Sequence, residues 1–265
     1  MKIWSANLKT MAYLSDDPIF FAKLADMVNR CERDGYSVFS SFLDERQCAE
    51  AEMWCRRNTG GLHYTFHGGF PSAHRKMLAV YPDYCEEYIR DEFPIKCLTF
   101  TYRREDKLNH RDFLGSFMGL MLKRETIGDI VIAEGMAQAA VTEIAARDIV
   151  SSLSKIGRTG VKISDSRDFE LSISELQQFK EISGTVASLR LDCVTALAAN
   201  VSREKAAAFI KADKVDVNHF TVSSVSHELT EGDILSVRGY GRFILSSVNG
   251  ITRKNRIHII LKKYI

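Results

Sequence analysis

The residues best able to do chemistry in this chain are cations gathered around one expected helix start. Ser202 is followed by Arg203 and Lys205, Lys211 and Lys214 flank the exit, and Arg190 lies a short way upstream. A Ser at a helix start leaves backbone N–H groups nearby, and a helix N-terminus welcomes a phosphate. Arg203 can offer a two-pronged guanidinium fork to the same anion. Contacts of this kind position a phosphate backbone and confer affinity rather than base readout. A second group holds His110, Arg111, Lys123 and Arg124, three cations and one residue that can become one. The competing reading there is that His110 and Arg111 cap and orient a helix while Asp129 pairs with Arg111. Arg238 and Arg242 are separated by glycine, which could let the backbone approach a polyanion closely. The competing reading is a hairpin turn that requires positive φ.

Metal and nucleophile chemistry find less support. The six cysteines, Cys31, Cys48, Cys55, Cys85, Cys97 and Cys193, include no C-x-x-C pair. Zinc sites usually draw two ligands from one turn, so free thiols in a reducing cytosol are expected instead. His63 and His67 would share one face of a strand without a third ligand. His110-Arg111-Asp112 has the form of a kinase catalytic loop, but Phe117 stands where the magnesium-binding Asn belongs and no glycine-rich phosphate loop is present. No metal, cofactor or small-molecule substrate is therefore expected.

The elements that must position these residues can be read from caps and periodicity. Ser15-Asp16-Asp17-Pro18 predicts a helix start, with Phe20, Phe21, Leu24, Met27 and Val28 at helical spacing and Gly35 as the stop. Tyr36 to Leu43 reads as a strand, Asp44 caps a helix to about Arg57, and Leu62 to His67 reads as another strand. From Ile95 the order is strand, helix (His110 to Leu122), strand (Ile130 to Ile132), hairpin partner (Ala139 to Ile144), helix (Ala146 to Ile156) and strand (Gly160 to Ser164). That β-α-β-β-α-β order fits a ferredoxin-like sandwich, the architecture of RNA-recognition motifs. Ser164 to about Glu181 reads as a polar connector with an ambiguous helix or strand. Beyond it come two helices carrying Leu191, Val194, Leu197 and Ala198, then Ala206, Phe209 and Ile210. Strands at Val215 to Asn218, Ile234 to Arg238, Phe243 to Val248 and Arg256 to Lys263 follow.

The chain has 265 residues, 45% hydrophobic and 26% charged, enough for two or three small domains. No apolar run follows Met1 and none reaches about eighteen residues, so no signal peptide and no membrane span are expected. From Gly184 to Ile265 there are 12 basic and 7 acidic residues, a net of +5, against −3 for the remainder. A basic C-terminal module on a mildly acidic body suggests a polyanion partner.

Four pieces in order resemble the RNA-binding domain of ribosomal protein S-four: Arg190-Leu191-Asp192, Ser202-Arg203, Val215-x-Val217-Asn218, and Gly232-Asp233 before a strand. That resemblance implies two helices on a small twisted sheet, gripping structured RNA on an exposed face that includes Arg190, Ser202, Arg203, Lys205, Lys211, Lys214 and Asn218. The chain departs from the pattern at Ala212-Asp213-Lys214, where glycine is usual nearby, and at Asn218-His219 in place of Asn-Gly. Asp213 and Asp216 also bring negative charge beside that face.

The whole chain is similar to the YlmH family of bacterial S-four-domain proteins. His110-Arg111-Asp112-Phe113-Leu114-Gly115, Lys123 to Ile130, Arg238-Gly239-Tyr240-Gly241-Arg242 and Gly68-Gly69-Phe70 before Ala73-x-Arg75-Lys76 carry the similarity. It implies a multi-domain α+β protein: a small α/β domain over 1–93, an RNA-recognition-motif-like domain over 94–165, a connector over 166–183 and the S-four domain over 184–265. It also implies a cytoplasmic, ribosome-associated quality-control factor that binds ribosomal RNA, transfer RNA or both on the large subunit.

The enzymatic rival is a pseudouridine synthase, whose signature Arg190-Leu191-Asp192 with Thr195 resembles, Asp192 being the nucleophile. In those enzymes, however, a catalytic domain follows the S-four domain, and fewer than seventy residues remain after Val201. A third reading is an interaction protein whose N-terminal domain docks a protein partner while the S-four module tethers it.

Overall fold

The computed structural model describes residues 17–166, 168–173, 178–252 and 255–265. Ser15 and Asp16 of the expected helix start, and part of the expected connector, lie outside them. Two compact units are found, one within residues 17–176 and the other within residues 177–265. Among the described residues no helix is long and apolar enough to cross a membrane.

The first unit opens with α1 (Pro18–Asp34). Asp17 Oδ1 caps it, accepting from the amides of Ile19 and Phe20 at 3.1 and 3.0 Å. Pro18 suits the first turn because its missing N–H would have no helical acceptor. The helix buries Phe20, Leu24, Met27, Val28 and Cys31. Strand β1 is only Val38–Phe39, shorter than expected, because the chain then leaves the sheet and returns as an isolated bridge from Leu43 to Lys76. Helix α2 (Glu45–Asn58) starts in a capping box of Asp44 and Gln47. Strands β2 (His63–His67) and β3 (Met77–Tyr81) complete a three-stranded sheet in the order β1-β3-β2. Every residue of β3 is buried. Leu78 and Val80 pack towards α1 and α2, while Met77, Ala79 and Tyr81 join a second cluster on the opposite face.

After the one-turn helix α3 (Ile89–Glu92) come β4 (Ile95–Thr101), α4 (His110–Gly119), β5 (Ile127–Ala133), β6 (Met136–Thr142) and α5 (Glu143–Ser152). A small hairpin, β7 (Lys155–Ile156) and β8 (Thr159–Gly160), precedes β9 (Lys162–Ser166). The larger sheet is fully antiparallel in the order β5-β6-β4-β9. Alternation along the strands sends Leu98, Phe100, Ala137, Ala139 and Val141 towards α4 and α5, where they meet Phe113, Phe117, Ala145 and Ile149.

The other face of that sheet is covered. Val131 and Ala140 pack with Phe42, Phe70, Met77 and Ala79 from the preceding sheet and loops, and Phe169 and Leu171 join them. Gln138, fully buried, pins the covering segment: its Nε2 donates to Thr99 Oγ1 and the Asp168 carbonyl, and its Oε1 accepts from the Leu171 amide.

The second unit is a six-stranded antiparallel sheet with two helices on one face. Its elements are β10 (Phe179–Val186), α6 (Leu191–Ala199), α7 (Arg203–Lys211), β11 (Val215–Val217), β12 (Phe220–Thr221), β13 (Ile234–Val237), β14 (Gly241–Ile251) and β15 (Ile257–Tyr264). The order is β10-β15-β14-β13-β11-β12. Leu191, Val194, Ala198 and Ile210 from the helices pack on Val215, Val217, Leu235, Val237, Phe243, Leu245, Ile259 and Leu261. Phe179 to Val186, which begins within the expected 166–183 connector, is instead a strand that pairs along its whole length with β15. Gly184 there is a packing residue, since a Cβ would stand 2.6 Å from Leu197 Cδ1.

Candidate nucleic-acid interface

The starts of α6 and α7 converge on one carboxylate. Asp192 lies in the first turn of α6 and its side chain is 6% exposed. Arg190 approaches it with Nε on Oδ1 and Nη2 on Oδ2, both at 3.2 Å. Arg203, at the start of α7, places Nε on Oδ2 at 2.8 Å. The Cys193 amide also donates to Asp192 Oδ1 at 2.9 Å. Burial pushes the Asp192 carboxyl up, but the hydrogen bonds from Arg190 and then Arg203 outweigh it and hold the acid below the usual carboxylate range. The side chain of Arg203 is 55% exposed and that of Arg190 35%, so both guanidiniums keep a solvent-facing edge.

Beside this triad, Ser202 caps α7 by accepting from the Lys205 amide at 3.2 Å. The exposed Lys205 lays its ammonium 5.9 Å from the centroid of the Phe209 ring. Arg190, Ser202, Arg203 and Lys205 therefore share one end of the helix pair. Lys211 and Lys214 do not join them: α7 has nine residues, about 13 Å of helix, and they sit at its far end.

Lys214 belongs to a different grouping. Its carbonyl accepts from the Arg238 amide at 2.9 Å. A cleft of about 400 Å³ is lined by Asp213, Lys214, Asp216, Ser236, Arg238 and Arg242. Arg242 pairs in register with Ser236, and Ser236 with Asp216, on the sheet face turned away from the helices. Its guanidinium carbon stands 5.0 Å from the Tyr264 ring centroid. Gly239 and Gly241 have φ of +85° and +117°, so the turn does require glycine there. Asn218 is used internally: its Nδ2 donates to Asp233 and its Oδ1 accepts from the Ile234 amide, both at 2.8 Å. With φ of +51° and +73° at Asn218 and His219, the two-residue loop has the signs of a type I′ hairpin turn.

In the first unit, Asn109 rather than His110 caps α4, in a capping box with Asp112. Asp129 does not pair with Arg111; its Oδ2 accepts from the His74 and Arg75 amides at 2.6 and 3.0 Å. A register shift in β5 between Ile127 and Ile130 spans Gly128 and Asp129. A Cβ on Gly128 would meet the Phe42 ring at 2.6 Å. Arg75 donates to the carbonyls of Ile127, Phe42 and Arg124, and Arg124 donates to those of Ile127 and Gly128. Burial depresses the pKa of both arginines. His110 is also depressed, by partial burial and then by the charge of Arg124, so it is mostly neutral at pH 7. Arg111 and Lys123 are exposed. Of the four residues read as a patch, two face solvent as cations and Arg124 is engaged in the fold.

Two other features bear on chemistry. RNA-recognition motifs stack bases on aromatic residues of an open sheet face. Here the equivalent face carries Thr99, Val131, Gln138 and Ala140, and it is covered. Among the described residues no group of three or more His, Cys, Asp or Glu gathers in a metal-binding arrangement. The cysteines are free, and burial pushes the thiols of Cys48, Cys55 and Cys97 up to about 12.

Comparison with known proteins adds a family. Residues 89–171 match a family model described as "Putative RNA-binding domain in YlmH". The chain is 31% identical over 229 residues to "Ribosome-associated protein quality control protein P2" of Bacillus subtilis (strain 168), covering 84% of this chain and 86% of that protein. A solved structure, "Cell division protein ylmH from Streptococcus pneumoniae", aligns with a TM-score of 0.49 and 22% identity over 57% of this chain and 90% of that one.

Proposed function

The chain belongs to the YlmH family, and from that premise we propose that it is a non-catalytic, ribosome-associated RNA-binding protein acting in quality control of translation. Its ligand on this reading is structured ribosomal RNA, transfer RNA or both on the large subunit, in the bacterial cytoplasm. The relative's name, a ribosome-associated quality-control protein, and the RNA-binding description of the matched family support the assignment.

We assign residues 184–265 to an S-four-type RNA-binding domain and 94–165 to a ferredoxin-like, RNA-recognition-motif-like domain. We place residues 1–93 in the N-terminal domain and treat 166–183 as the boundary segment before the S-four-type domain, its residues from Phe179 on belonging to β10. The strand order β5-β6-β4-β9 with both helices on one face supports the ferredoxin-like assignment.

The observation that carries the reading is the cationic end of the helix pair, where Arg190, Arg203 and Lys205 surround the N-terminus capped by Ser202. Such an end can seat a phosphate by backbone amides, fork and point charge together. Lys211, Lys214, Arg238 and Arg242 form an auxiliary basic surface in this reading, and Arg111 and Lys123 another. Asn218 and Arg124 act by shaping the backbone around them, and His110 stands at the start of α4 near the charge of Arg124. The synthase alternative loses ground because Asp192 is only 4% exposed and both its oxygens are bonded, which leaves a nucleophile no approach to a base.

The test is co-sedimentation with separated ribosomal subunits across a salt series, for wild type and for Arg203→Ala with Lys205→Ala. The expected result is salt-sensitive binding to the large subunit, with a log–log slope flattened by roughly 0.7–0.9 per lost phosphate contact. An unchanged slope in the double variant refutes the surface; binding to neither subunit refutes the ribosomal assignment.

A further inference from the structure

We propose that Asp192 is a positioning residue: a buried carboxylate that fixes the Arg190 and Arg203 guanidiniums in a phosphate-ready arrangement, so that removing its negative charge weakens RNA binding. The inference rests on the RNA-binding reading and deepens it.

Simple electrostatics gives the opposite expectation. An acid among phosphate-binding cations should repel the ligand, and neutralising it should tighten binding. The geometry argues against that sign. The Asp192 side chain is 6% exposed and lies beneath the two guanidiniums, whose outer edges face solvent. A phosphate would meet the arginines and be shielded from the acid. Arg190 and Arg203 are thirteen residues apart along the chain, and each has a long, flexible side chain that a ligand must otherwise immobilise. Holding them in place before binding removes that ordering cost from the association step.

The triad is also poorly explained as a device for docking the helices. Leu191, Val194, Ala198 and Ile210 already tie α6 and α7 into the core, and Ala206 of α7 is fully buried. Nor does Asp192 serve as the α6 N-cap: Arg190 occupies that position, and no side chain caps it. What Asp192 does is collect two cations from the starts of consecutive helices.

The experiment uses the full chain as wild type, Asp192→Asn and Arg203→Ala, with purified large ribosomal subunits and with labelled bulk transfer RNA as probes. Affinity is measured over a salt series and folding by circular dichroism. Asp192→Asn should bind roughly tenfold more weakly than wild type, as for loss of one charged contact. Its salt slope should fall towards that of Arg203→Ala. Equal or tighter binding by Asp192→Asn, while Arg203→Ala is weakened, overturns the positioning role and leaves the RNA-binding surface standing. Wild-type binding by both variants overturns the surface itself. Should Asp192→Asn fail to fold, Asp192→Glu keeps the charge and displaces the carboxylate. Weaker binding by that variant supports the role, and unchanged binding overturns it.

Discussion

Asp129→Ala tests how the two sheets of the first unit are held together. Asp129 Oδ2 accepts from two consecutive amides, His74 at 2.6 Å and Arg75 at 3.0 Å, fifty-odd residues away in the chain. A hydrogen bond to an ionised group contributes about 1.5–3 kcal/mol, and both here fall on one oxygen of a half-buried residue. The combined loss should then be about 3 kcal/mol, less than two independent bonds would give. For a unit of this size that corresponds to a melting temperature lower by roughly 6–12 °C. Asp129→Asn keeps an acceptor without the charge and should lose about half as much, because neutral hydrogen bonds contribute about 0.5–1.5 kcal/mol each. The assay is thermal melting combined with hydrogen exchange at the His74 and Arg75 amides, which should lose protection in the alanine variant. A melt within about one degree of wild type, with both amides still protected, refutes the reasoning.

Arg111→Ala and Arg124→Ala should behave differently although they were read as one patch. Arg124 bonds the carbonyls of Ile127 and Gly128, so its loss should lower the melting temperature by several degrees; Arg111 is exposed, so its loss should leave the melt unchanged and weaken ribosome co-sedimentation. Equal effects on stability would refute that division. Asp192, whose carboxyl is held below its ordinary range, stabilises the fold fully above about pH 4 and loses that contribution as pH falls through its depressed pKa. The melting-temperature gap between wild type and Asp192→Asn should therefore close in acid; a gap that persists in acid would locate its origin outside the ion triad.

The helices were legible because their caps are local. Asp17 with Pro18, Asp44 with Gln47, and Ser202 each bond an amide two or three residues ahead, a relation that sequence spacing shows directly. Strand β3 was passed over although Met77-Leu-Ala-Val-Tyr81 is a run of apolar residues. It packs on both faces, so it lacks the alternation that marks a half-buried strand. Strand β10 stays ambiguous between helix and strand for the opposite reason: Phe179 to Val186 mixes Lys, Glu, Ser and Gly, as an edge strand can, and its pairing with β15 is set far along the chain. The cations of the candidate site were found from residue type. That Arg190 and Arg203 meet at one buried acid was not, because the α6–α7 turn and the core beneath it decide that meeting. A hint was present in the Arg190-x-Asp192 spacing, which places a carboxylate beside the first of them.

The covered face of the larger sheet has a consequence for cutting the chain. A fragment spanning 94–165 alone would keep its β-α-β-β-α-β order but strip away Phe42, Phe70, Met77 and Phe169, baring Val131, Ala140 and the Gln138 amide, which would keep its bond to Thr99 and lose those to Asp168 and Leu171. Such a fragment would be prone to self-association, and an RNA-binding assay on it would report sticky apolar surface. The family match over 89–171 takes in Ile89, Phe93, Phe169 and Leu171, which belong to that cover. The first unit with its N-terminal layer attached keeps this sheet face covered, so modular exchange within this chain has to move both sheets as one.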